Sequence, residues 1–292
     1  MDTKSVKAYA KINLSLDVLR KRPDGYHDLS MIMQTIGVYD IVTCKKRDDD
    51  KITFATDSSF LSEEEAKSNL CVRAAKLMQE KFGCGGVDIS LEKHIPIAAG
   101  LAGGSSDAAA VMRLCRSLFE KDIKDAELER AGAGLGADIP YCIRGGCVLC
   151  EGIGDVMTNL PAPPECTVLL AKPDIYVSTA EVYGNLRLNE ELVHPDVEGM
   201  VMAIKDGDYE GVYTRCKNVL AYVTEENHPI IVDIEKIMLE LGADNSCMSG
   251  SGPTVFGLFS DGDAAANCAK EIEKRGLAKE IFVTRYIGRN EM

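Results

Sequence analysis

The chain has 292 residues, a 46% apolar content and a net charge of −13 at neutral pH. This length suggests two domains, or one large domain with a subdomain, since domains usually hold about 100–200 residues. The acidic balance disfavours a nucleic-acid or membrane surface, and no apolar run reaches the ~18 residues of a membrane span. The N-terminus has no signal-peptide core, so we expect a cytoplasmic protein.

The first third of the chain is predicted to be rich in β-strand. Alternating apolar residues in VKAYAKINLSLDVL indicate a long strand, and RKRPDGYH is a turn with an Asp-Gly pair. Further strands are predicted at 29–36, 41–45 and 51–55. A helix capped at its start by Ser68 is expected to end at Gly83.

The stretch PIAAGLAGGSSDAAAVM joins the predicted strand VDISLEKHIP to a helix expected from about Ser106 to Phe119. Glycines let backbone N–H groups approach an anion, and a helix N-terminus adds free N–H groups and a partial positive charge. We interpret the stretch as an anion site rather than a linker. The alternative is a helix end packed on a strand, with Ser105, Ser106 or Asp107 as its cap. The common phosphate-loop patterns, with their lysine, are absent.

Asp107 places a negative charge in this stretch. A carboxylate repels phosphate, so its role needs an explanation. Three roles are open: it caps the helix, faces away from the ligand, or helps to hold a magnesium ion.

The cysteines follow no disulfide pattern. There are 11 of them, an odd number without regular spacing. The C-x-x-C from Cys147 to Cys150 lies in GGCVLCEGIGDVMTNL, which we predict to be a β-hairpin. Residues three apart on a strand point to opposite faces, which favours two buried reduced thiols over zinc or redox chemistry.

The proline-rich segment LPAPPE is the best domain boundary, and it divides the chain into 1–160 and 161–292. The second part is predicted to be α+β. It contains strands in CTVLLAKP and EIFVTRYI, a strand–turn–strand in NSCMSGSGPTVFGLF, and helices in VSTAEVYGNL, HPDVEGMVMAI, HPIIVDIEKIMLELG and DGDAAANCAKEIEKRG.

Three segments together resemble the GHMP kinases, a family that includes galactokinase, homoserine kinase and mevalonate kinase. AYAKINLSLDVLRKRPDGYHDL is similar to the first motif of the family, PIAAGLAGGSSDAAA to the second and CMSGSGPTVFGLF to the third. The resemblance implies a two-domain α/β (α+β) architecture, with an N-terminal domain like ribosomal protein S5, which contains a left-handed βαβ unit, and a ferredoxin-like C-terminal domain.

The resemblance also implies transfer of a phosphoryl group from ATP, with Mg2+, to an alcohol. It extends to GADIPYCIRGG and is strongest to a branch that acts on the methylerythritol unit of a cytidine diphosphate substrate in non-mevalonate isoprenoid biosynthesis. A homoserine- or mevalonate-type kinase is the alternative. The expected partners are small molecules, without nucleic acid or membrane, and the expected assembly is a monomer or weak homodimer.

The resemblance assigns ATP to the glycine-rich stretch and to Asn69 on the adenine side, where the alternative is a first helical residue after Ser68. The stretch comprises Pro96, Ile97, Ala98, Ala99, Gly100, Leu101, Ala102, Gly103, Gly104, Ser105 and Ser106. Ala98 and Ala102 stand where relatives often carry glycine, and we expect ordinary backbone angles at both. No metal ligand is assigned.

Asp138, in GLGADIPY, is predicted to be the catalytic base, held on a tight loop before Pro140. The alternative is an ordinary helix N-cap. Lys11 lies inside an apolar strand, where a charge needs a partner, and we expect Asp138 to pair with it and stay ionised. Lys11 then places positive charge near the transferred group; the alternative is an edge-strand lysine facing water. Asn13, on the same strand face, is expected to orient the acceptor hydroxyls.

The acceptor base is assigned to aromatic residues. Tyr26 is expected to stack on the cytosine ring while His27 hydrogen-bonds its edge. The resemblance adds Tyr183 as the opposite stacking partner. The alternatives are a turn aromatic and a helix core tyrosine. Gly250 and Gly252, in the third motif, are expected to shape the substrate side of the cleft, and their alternative is a tight strand connection.

Overall fold

The structure is a computed structural model that describes residues 2–57, 68–189 and 192–292. Its strands are β1 (Thr3–Lys21), β2 (His27–Lys46), β3 (Ile52–Thr56), β4 (Val87–Glu92), β5 (Cys147–Gly152), β6 (Val156–Asn159), β7 (Thr167–Lys172), β8 (Lys217–Asn218), β9 (Asn245–Met248), β10 (Val255–Phe259) and β11 (Glu280–Arg285). Its helices are α1 (Leu70–Phe82), α2 (Gly103–Leu118), α3 (Asp125–Gly132), α4 (Ile139–Arg144), α5 (Thr179–Asn185), α6 (Val197–Asp206), α7 (Tyr209–Tyr213), α8 (Ala221–Asn227), α9 (Ile230–Glu240) and α10 (Gly262–Lys274).

The first sheet is built around the long antiparallel pair of β1 and β2. Its order is β3-β4-β2-β1-β8, and β5 also pairs with β2 and carries β6. The prediction of separate strands at 29–36 and 41–45 is wrong, because β2 runs through the whole region. Gly37 serves close packing here rather than a turn, since a Cβ at this position would lie 2.6 Å from Thr284 Oγ1.

Two irregularities in β1 decide which side chains face the cleft. The register with β2 shifts between Tyr9 and Lys11, and again between Asn13 and Ser15. Ala10, Ile12 and Leu14 therefore join one core, whereas Ala8, Leu16 and Val18 join the other. Bulges redirect side chains in this way and are common beside active sites. The short segment between the two shifts carries Lys11 and Asn13.

Helices α1 and α2 pack together against the first sheet. α1 connects the parallel strands β3 and β4, and it ends at Gly83 as predicted, with left-handed backbone angles there. Its N-cap is Asn69 rather than Ser68. α2 begins three residues earlier than predicted, at Gly103, so it contains the serines that the sequence assigned to its approach.

The second sheet has the order β11-β7-β10-β9, with every neighbouring pair antiparallel. This order, with α10 between β10 and β11, confirms the ferredoxin-like prediction. One face of the sheet packs on the first sheet through Val168, Leu170, Phe256 and Leu258. Its other face packs on α9 and α10.

The short elements α7, β8 and α8 were not predicted. β8 lies in the second half of the chain but pairs in parallel with β1 of the first sheet. In that pairing, Asn218 lies beside Leu16. Segment 161–166 otherwise separates the strands of the two sheets. The division at residues 160 and 161 stays a prediction.

The predicted β5–β6 hairpin is confirmed. Cys147 and Cys150 are free thiols that lie in different cores, on opposite faces of β5. Burial raises the pKa of the Cys147 thiol to about 12, so it stays protonated. Among the helices of the described residues, none combines the length and apolar character that crossing a bilayer requires.

Candidate active site

A cleft of about 670 Å3 lies where the three predicted motifs meet. It is bordered by β1, by the glycine-rich stretch and the start of α2, by the loop before α4, and by the turn between β9 and β10. The predicted site residues along it are Lys11, Asn13, Asn69, Pro96, Ile97, Ala98, Ala99, Gly100, Ala102, Gly103, Gly104, Ser105, Asp138, Tyr183, Gly250 and Gly252.

Two residues of the predicted ATP stretch turn away from the cleft. Leu101 is buried in the core that contains Ala10, Ile12 and Leu14. Ser106 is buried too, and its hydroxyl donates a hydrogen bond of 2.7 Å to the Tyr9 carbonyl oxygen. Their side chains anchor the stretch to β1, and Lys11 N–H donates to the Leu101 carbonyl in the same region.

The backbone of the glycine-rich stretch is left-handed at three positions. Gly100 has φ of 74°, and Ala98 and Ala102 have φ of 53° and 58°. The expectation of ordinary angles at the two alanines is therefore wrong. An L-residue in this region costs roughly 1–2 kcal/mol, so the surrounding packing holds the stretch in a strained shape.

Ala102 is the N-cap of α2, and no side chain caps this helix end. The alternative in which Ser105, Ser106 or Asp107 caps the helix is therefore wrong. Uncapped N–H groups at a helix start are available to an anion, and the partial positive charge of the helix end favours one. This geometry suits a phosphate group.

Gly100 joins the second motif to the first and the third. Its carbonyl oxygen accepts hydrogen bonds from Lys11 Nζ at 2.8 Å and from Ser249 Oγ at 3.0 Å. A Cβ on Gly100 would lie 2.2 Å from the Ser249 carbonyl oxygen, so only glycine fits this contact. The position of Lys11 is thereby tied to the shape of the glycine-rich stretch.

Lys11 is 4% exposed. Its ammonium group donates to Asn13 Oδ1 at 2.6 Å and to the Gly100 carbonyl. The prediction of a direct ion pair with Asp138 is wrong, because these neutral oxygens are its partners. Burial lowers the pKa of Lys11, and the charge of Asp138 opposes that shift through space. Lys11 and Asp138 thus face the same cleft without touching.

Asp138 occupies the N-cap position of α4, yet its side chain makes no capping hydrogen bond. The alternative of an ordinary cap is therefore wrong. The carboxylate is half-buried on the cleft wall, and within the described part of the chain no hydrogen bond or ion pair engages it. An oriented carboxylate with free oxygens is what a general base requires.

The third motif is held by side chains from the second half of the chain. Asn218 Nδ2 donates to the carbonyl oxygens of Met248 and Gly250, at 2.8 and 2.7 Å. Gly250 and Gly252 have φ of 59° and 85°, in the left-handed region that favours glycine. The turn therefore presents backbone rather than side chains to the cleft at these two positions.

The three residues predicted to bind the acceptor base lie in two different places. The rings of His27 and Tyr183 lie 5.2 Å apart, and Tyr183 borders the cleft while His27 packs on it from behind the lining. Burial lowers the pKa of His27, which favours the neutral imidazole with one donor and one acceptor nitrogen. Tyr26 is 60% exposed on the turn between β1 and β2 and does not line the cleft. The roles of all three stay predictions.

Asn69 borders the cleft, as do Leu70 and Leu91. Its Oδ1 accepts a hydrogen bond of 2.8 Å from the Cys71 N–H, which fixes the side chain at the start of α1. The amide nitrogen remains directed away from this cap. An apolar slot with one oriented amide suits an adenine ring.

Capping of α2 was one of three roles left open for Asp107, and the structure does not show it. Instead, Asp107 Oδ2 accepts a hydrogen bond from Lys93 Nζ at 2.9 Å. Lys93 also donates to the buried carboxylate of Asp40. Lys93 and Asp107 both border the cleft. We name Asp40, Lys93 and Asp107 the buried charge cluster.

Lys93, Asp40 and Ser249 belong to this region but were not predicted from the sequence. Lys93 directly follows a strand and precedes the glycine-rich stretch by three residues, so a search for a nearby cation would have found it. Asp40 and Ser249 carry no comparable local signal, since their partners are 53 and 149 residues away along the chain.

Family comparisons agree with the three-motif resemblance. A family model for the GHMP kinases N terminal domain matches residues 69–146, and one for the GHMP kinases C terminal matches residues 203–278. The 4-diphosphocytidyl-2-C-methyl-D-erythritol kinase of Lachnoclostridium phytofermentans is 47% identical over 287 residues, which is 98% of each chain. That of Geobacillus kaustophilus is 46% identical over 97% of each chain.

Solved structures give the same result. A crystal structure of 4-(cytidine 5'-diphospho)-2C-methyl-D-erythritol kinase matches with a TM-score of 0.82 and 29% identity, over 98% of this chain and 100% of its own. A homoserine kinase from Cytophaga hutchinsonii matches with a TM-score of 0.79 and 19% identity, over 99% of this chain and 95% of its own. The second likeness shows the fold alone.

Proposed function

Because the chain belongs to the GHMP kinase family and its full-length relatives are 4-diphosphocytidyl-2-C-methyl-D-erythritol kinases, we propose that it phosphorylates the same alcohol with ATP. The products are the 2-phosphate and ADP, in the non-mevalonate route to isoprenoid precursors. The structural observation that supports this function is the free carboxylate of Asp138 in one cleft with Lys11 and the glycine-rich stretch.

We assign the base to Asp138. The acceptor is a tertiary alcohol, which becomes a better nucleophile when a carboxylate takes its proton as it attacks the γ-phosphorus. Within the described residues Asp138 has free oxygens on the cleft wall, and the buried ammonium group of Lys11 faces the same cleft. After transfer, the carboxyl group returns the proton to solvent.

We assign electrostatic stabilisation to Lys11 and to the helix end. As the bond between the γ-phosphorus and ADP breaks, negative charge develops on the leaving ADP oxygen. Fixed hydrogen-bond donors and positive charges lower the energy of this transition state. Lys11 is already oriented by Asn13 and Gly100, so little reorganisation is needed when the group moves. The uncapped start of α2 supplies backbone N–H groups for the other phosphates.

Magnesium is proposed to enter with the nucleotide. In the described residues, no group of three or more His, Cys, Asp and Glu side chains could hold a metal by itself. This fits Mg2+, which keeps several waters and is bound largely by the substrate phosphates. When bound, it neutralises charge on the β- and γ-phosphates. The monomeric or weakly dimeric state and the cytoplasmic location stay predictions.

The cytidine end of the acceptor is assigned to His27 and Tyr183. Replacing Tyr183 with leucine is expected to raise KM for the cytidine substrate about tenfold, because a base–aromatic stack is worth roughly 1–3 kcal/mol. KM for ATP should stay within a factor of about two, since Tyr183 belongs to α5 and not to the glycine-rich stretch or the start of α1, which are assigned to ATP. Steady-state kinetics with each substrate varied in turn measures both constants.

The control for this variant is Tyr222→Leu, which changes an exposed tyrosine on α8 outside the cleft. It should leave both constants unchanged. Equal increases of KM for ATP and for the cytidine substrate in Tyr183→Leu would contradict the stacking role.

The proposed function is tested with a panel of acceptors and ATP labelled at the γ-phosphate. We expect label transfer to the cytidine diphosphate substrate, and much weaker transfer to 2-C-methylerythritol 4-phosphate, homoserine and mevalonate. Loss of the cytidine contacts removes binding energy that positions the hydroxyl group. Transfer to homoserine or mevalonate at equal efficiency would identify the chain as a different kinase of the same family.

A further inference from the structure

The buried charge cluster holds two carboxylates against one ammonium group. Asp40 is fully buried, Asp107 is 2% exposed, and Lys93 lies between them as the hydrogen-bond donor to both. If both acids were ionised, the cluster would carry a net negative charge. Its place is beside the stretch that must receive the phosphates of ATP, so that charge would oppose binding.

The two acids are not equivalent. Asp40 Oδ1 accepts hydrogen bonds from the backbone N–H groups of His94 and Ile95, while its Oδ2 accepts one from Lys93. Asp107 has the Lys93 bond on Oδ2, whereas its buried Oδ1 has no partner among the described residues. A carboxylate is stabilised by donors to both oxygens. Asp107 therefore has fewer donors to stabilise a negative charge than Asp40 has.

The electrostatic surroundings of Asp107 point the same way. Burial raises its pKa to about 8, the charge of Asp40 adds to this effect, and Lys93 opposes it. The other titratable groups that interact with Asp107 from elements packed against α2 are Cys71 on α1 and Cys142 on α4, and Lys11 on β1 borders the same cleft. Both thiols have raised pKa values and stay neutral, so they add no charge near Asp107.

The cluster lies directly against the predicted phosphate site. Lys93 and Asp107 border the cleft, and a Cβ on Gly103 would lie only 3.3 Å from Lys93 Nζ. Gly103 is the first residue of α2, so the ammonium group lies beside the helix start. A bound polyanion here adds negative charge close to Asp107 and makes its ionised form still less favourable.

We propose that Asp107 is a positioning residue that holds Lys93 while remaining a neutral carboxylic acid, and that at alkaline pH the donor nucleotide binds together with one proton on Asp107. The proton comes from solvent and converts the carboxylate into the acid, with no other bond made or broken. The inference rests on the proposed function, because it takes the occupant of this cleft to be a nucleoside polyphosphate.

Calorimetric titration of the full chain with MgADP at about pH 8.5 tests the proposal. The observed enthalpy is compared in two buffers with different ionisation enthalpies, which reports the number of protons taken up. We expect Asp107 of the wild type to take up about three-quarters of a proton, because a group with a pKa of about 8 is then mostly ionised before binding and protonated after it. Asp107→Asn should take up about three-quarters of a proton less than the wild type does, since the amide mimics the neutral acid and does not titrate.

The control is Asp122→Asn, which changes an exposed aspartate beyond the far end of α2 and should match the wild type. Lys11 has a lowered pKa and titrates in both proteins, so only the difference between wild type and Asp107→Asn reports on Asp107. If the asparagine variant does not fold, Asp107→Ser serves for the same comparison.

Two results would overturn the proposal: enthalpies of the wild type that are independent of the buffer, or equal proton uptake in wild type and Asp107→Asn. A different failure contradicts the proposed function itself. If MgADP does not bind to the wild type in any buffer, the cleft is not a nucleotide site.

Discussion

Replacing Asp138 with asparagine is expected to lower kcat for phosphorylation of the cytidine substrate by about 10²-fold or more, the usual contribution of a positioned base. The amide has nearly the same shape and cannot take the proton. Asp138 makes no capping hydrogen bond and no ion pair in the described part of the chain. The substitution therefore removes no contact that stabilises α4. The affinity for ATP should therefore stay within a factor of about two.

Single-turnover kinetics and an equilibrium titration with MgADP measure the two quantities for Asp138→Asn. Asp122→Asn is the matched control, with the same chemical change on an exposed loop, and should turn over normally. If Asp138→Asn retains the wild-type kcat, the base assignment is wrong.

Replacing Lys11 with methionine is the second large effect. We expect kcat to fall by about 10²–10³-fold, the range seen when one preorganised donor to a developing negative charge is removed. Methionine keeps much of the volume of the side chain, but it leaves Asn13 Oδ1 and the Gly100 carbonyl without this donor. Thermal unfolding must be measured as well, to separate loss of the charge from loss of the fold.

The pH dependence distinguishes a catalytic charge from a structural one. Burial lowers the pKa of Lys11 below its usual 10.5, so the ammonium group loses its proton, and activity falls, at a lower pH than for an exposed lysine. In Lys11→Arg the guanidinium stays charged, and this alkaline loss should move to higher pH. Lys7→Met, on the exposed part of the same strand, is the control. A normal kcat in Lys11→Met would contradict the assignment.

Much of this site could be predicted because several of its residues have a recognisable pattern in the few residues around them. The strand pattern around Lys11 marks a charge inside an apolar run, and the glycines before α2 mark a loop that approaches an anion. Gly83 ends α1 as predicted, since its left-handed angles are a local property of a helix end. The two sheets and the ferredoxin-like order followed from the family resemblance and are confirmed.

What could not be predicted depends on contacts between distant segments. The register shifts around Lys11 and Asn13 are set by pairing with β2, and they decide which face those side chains take. Ala98 and Ala102 adopt left-handed angles because the stretch is held by Lys11 and Ser249. Lys93 has a local signal in the sequence, but its pairing with both Asp40 and Asp107 depends on the fold.

The central claim is that ATP phosphorylates the tertiary 2-hydroxyl of the cytidine substrate in this cleft. Phosphorus and carbon NMR of the product after incubation with MgATP tests it most directly. We predict a new phosphomonoester signal coupled to the quaternary carbon C2, formed together with ADP, and absent with Asp138→Asn over the same time. A phosphate on another hydroxyl group, or release of inorganic phosphate without a new ester, would contradict the claim.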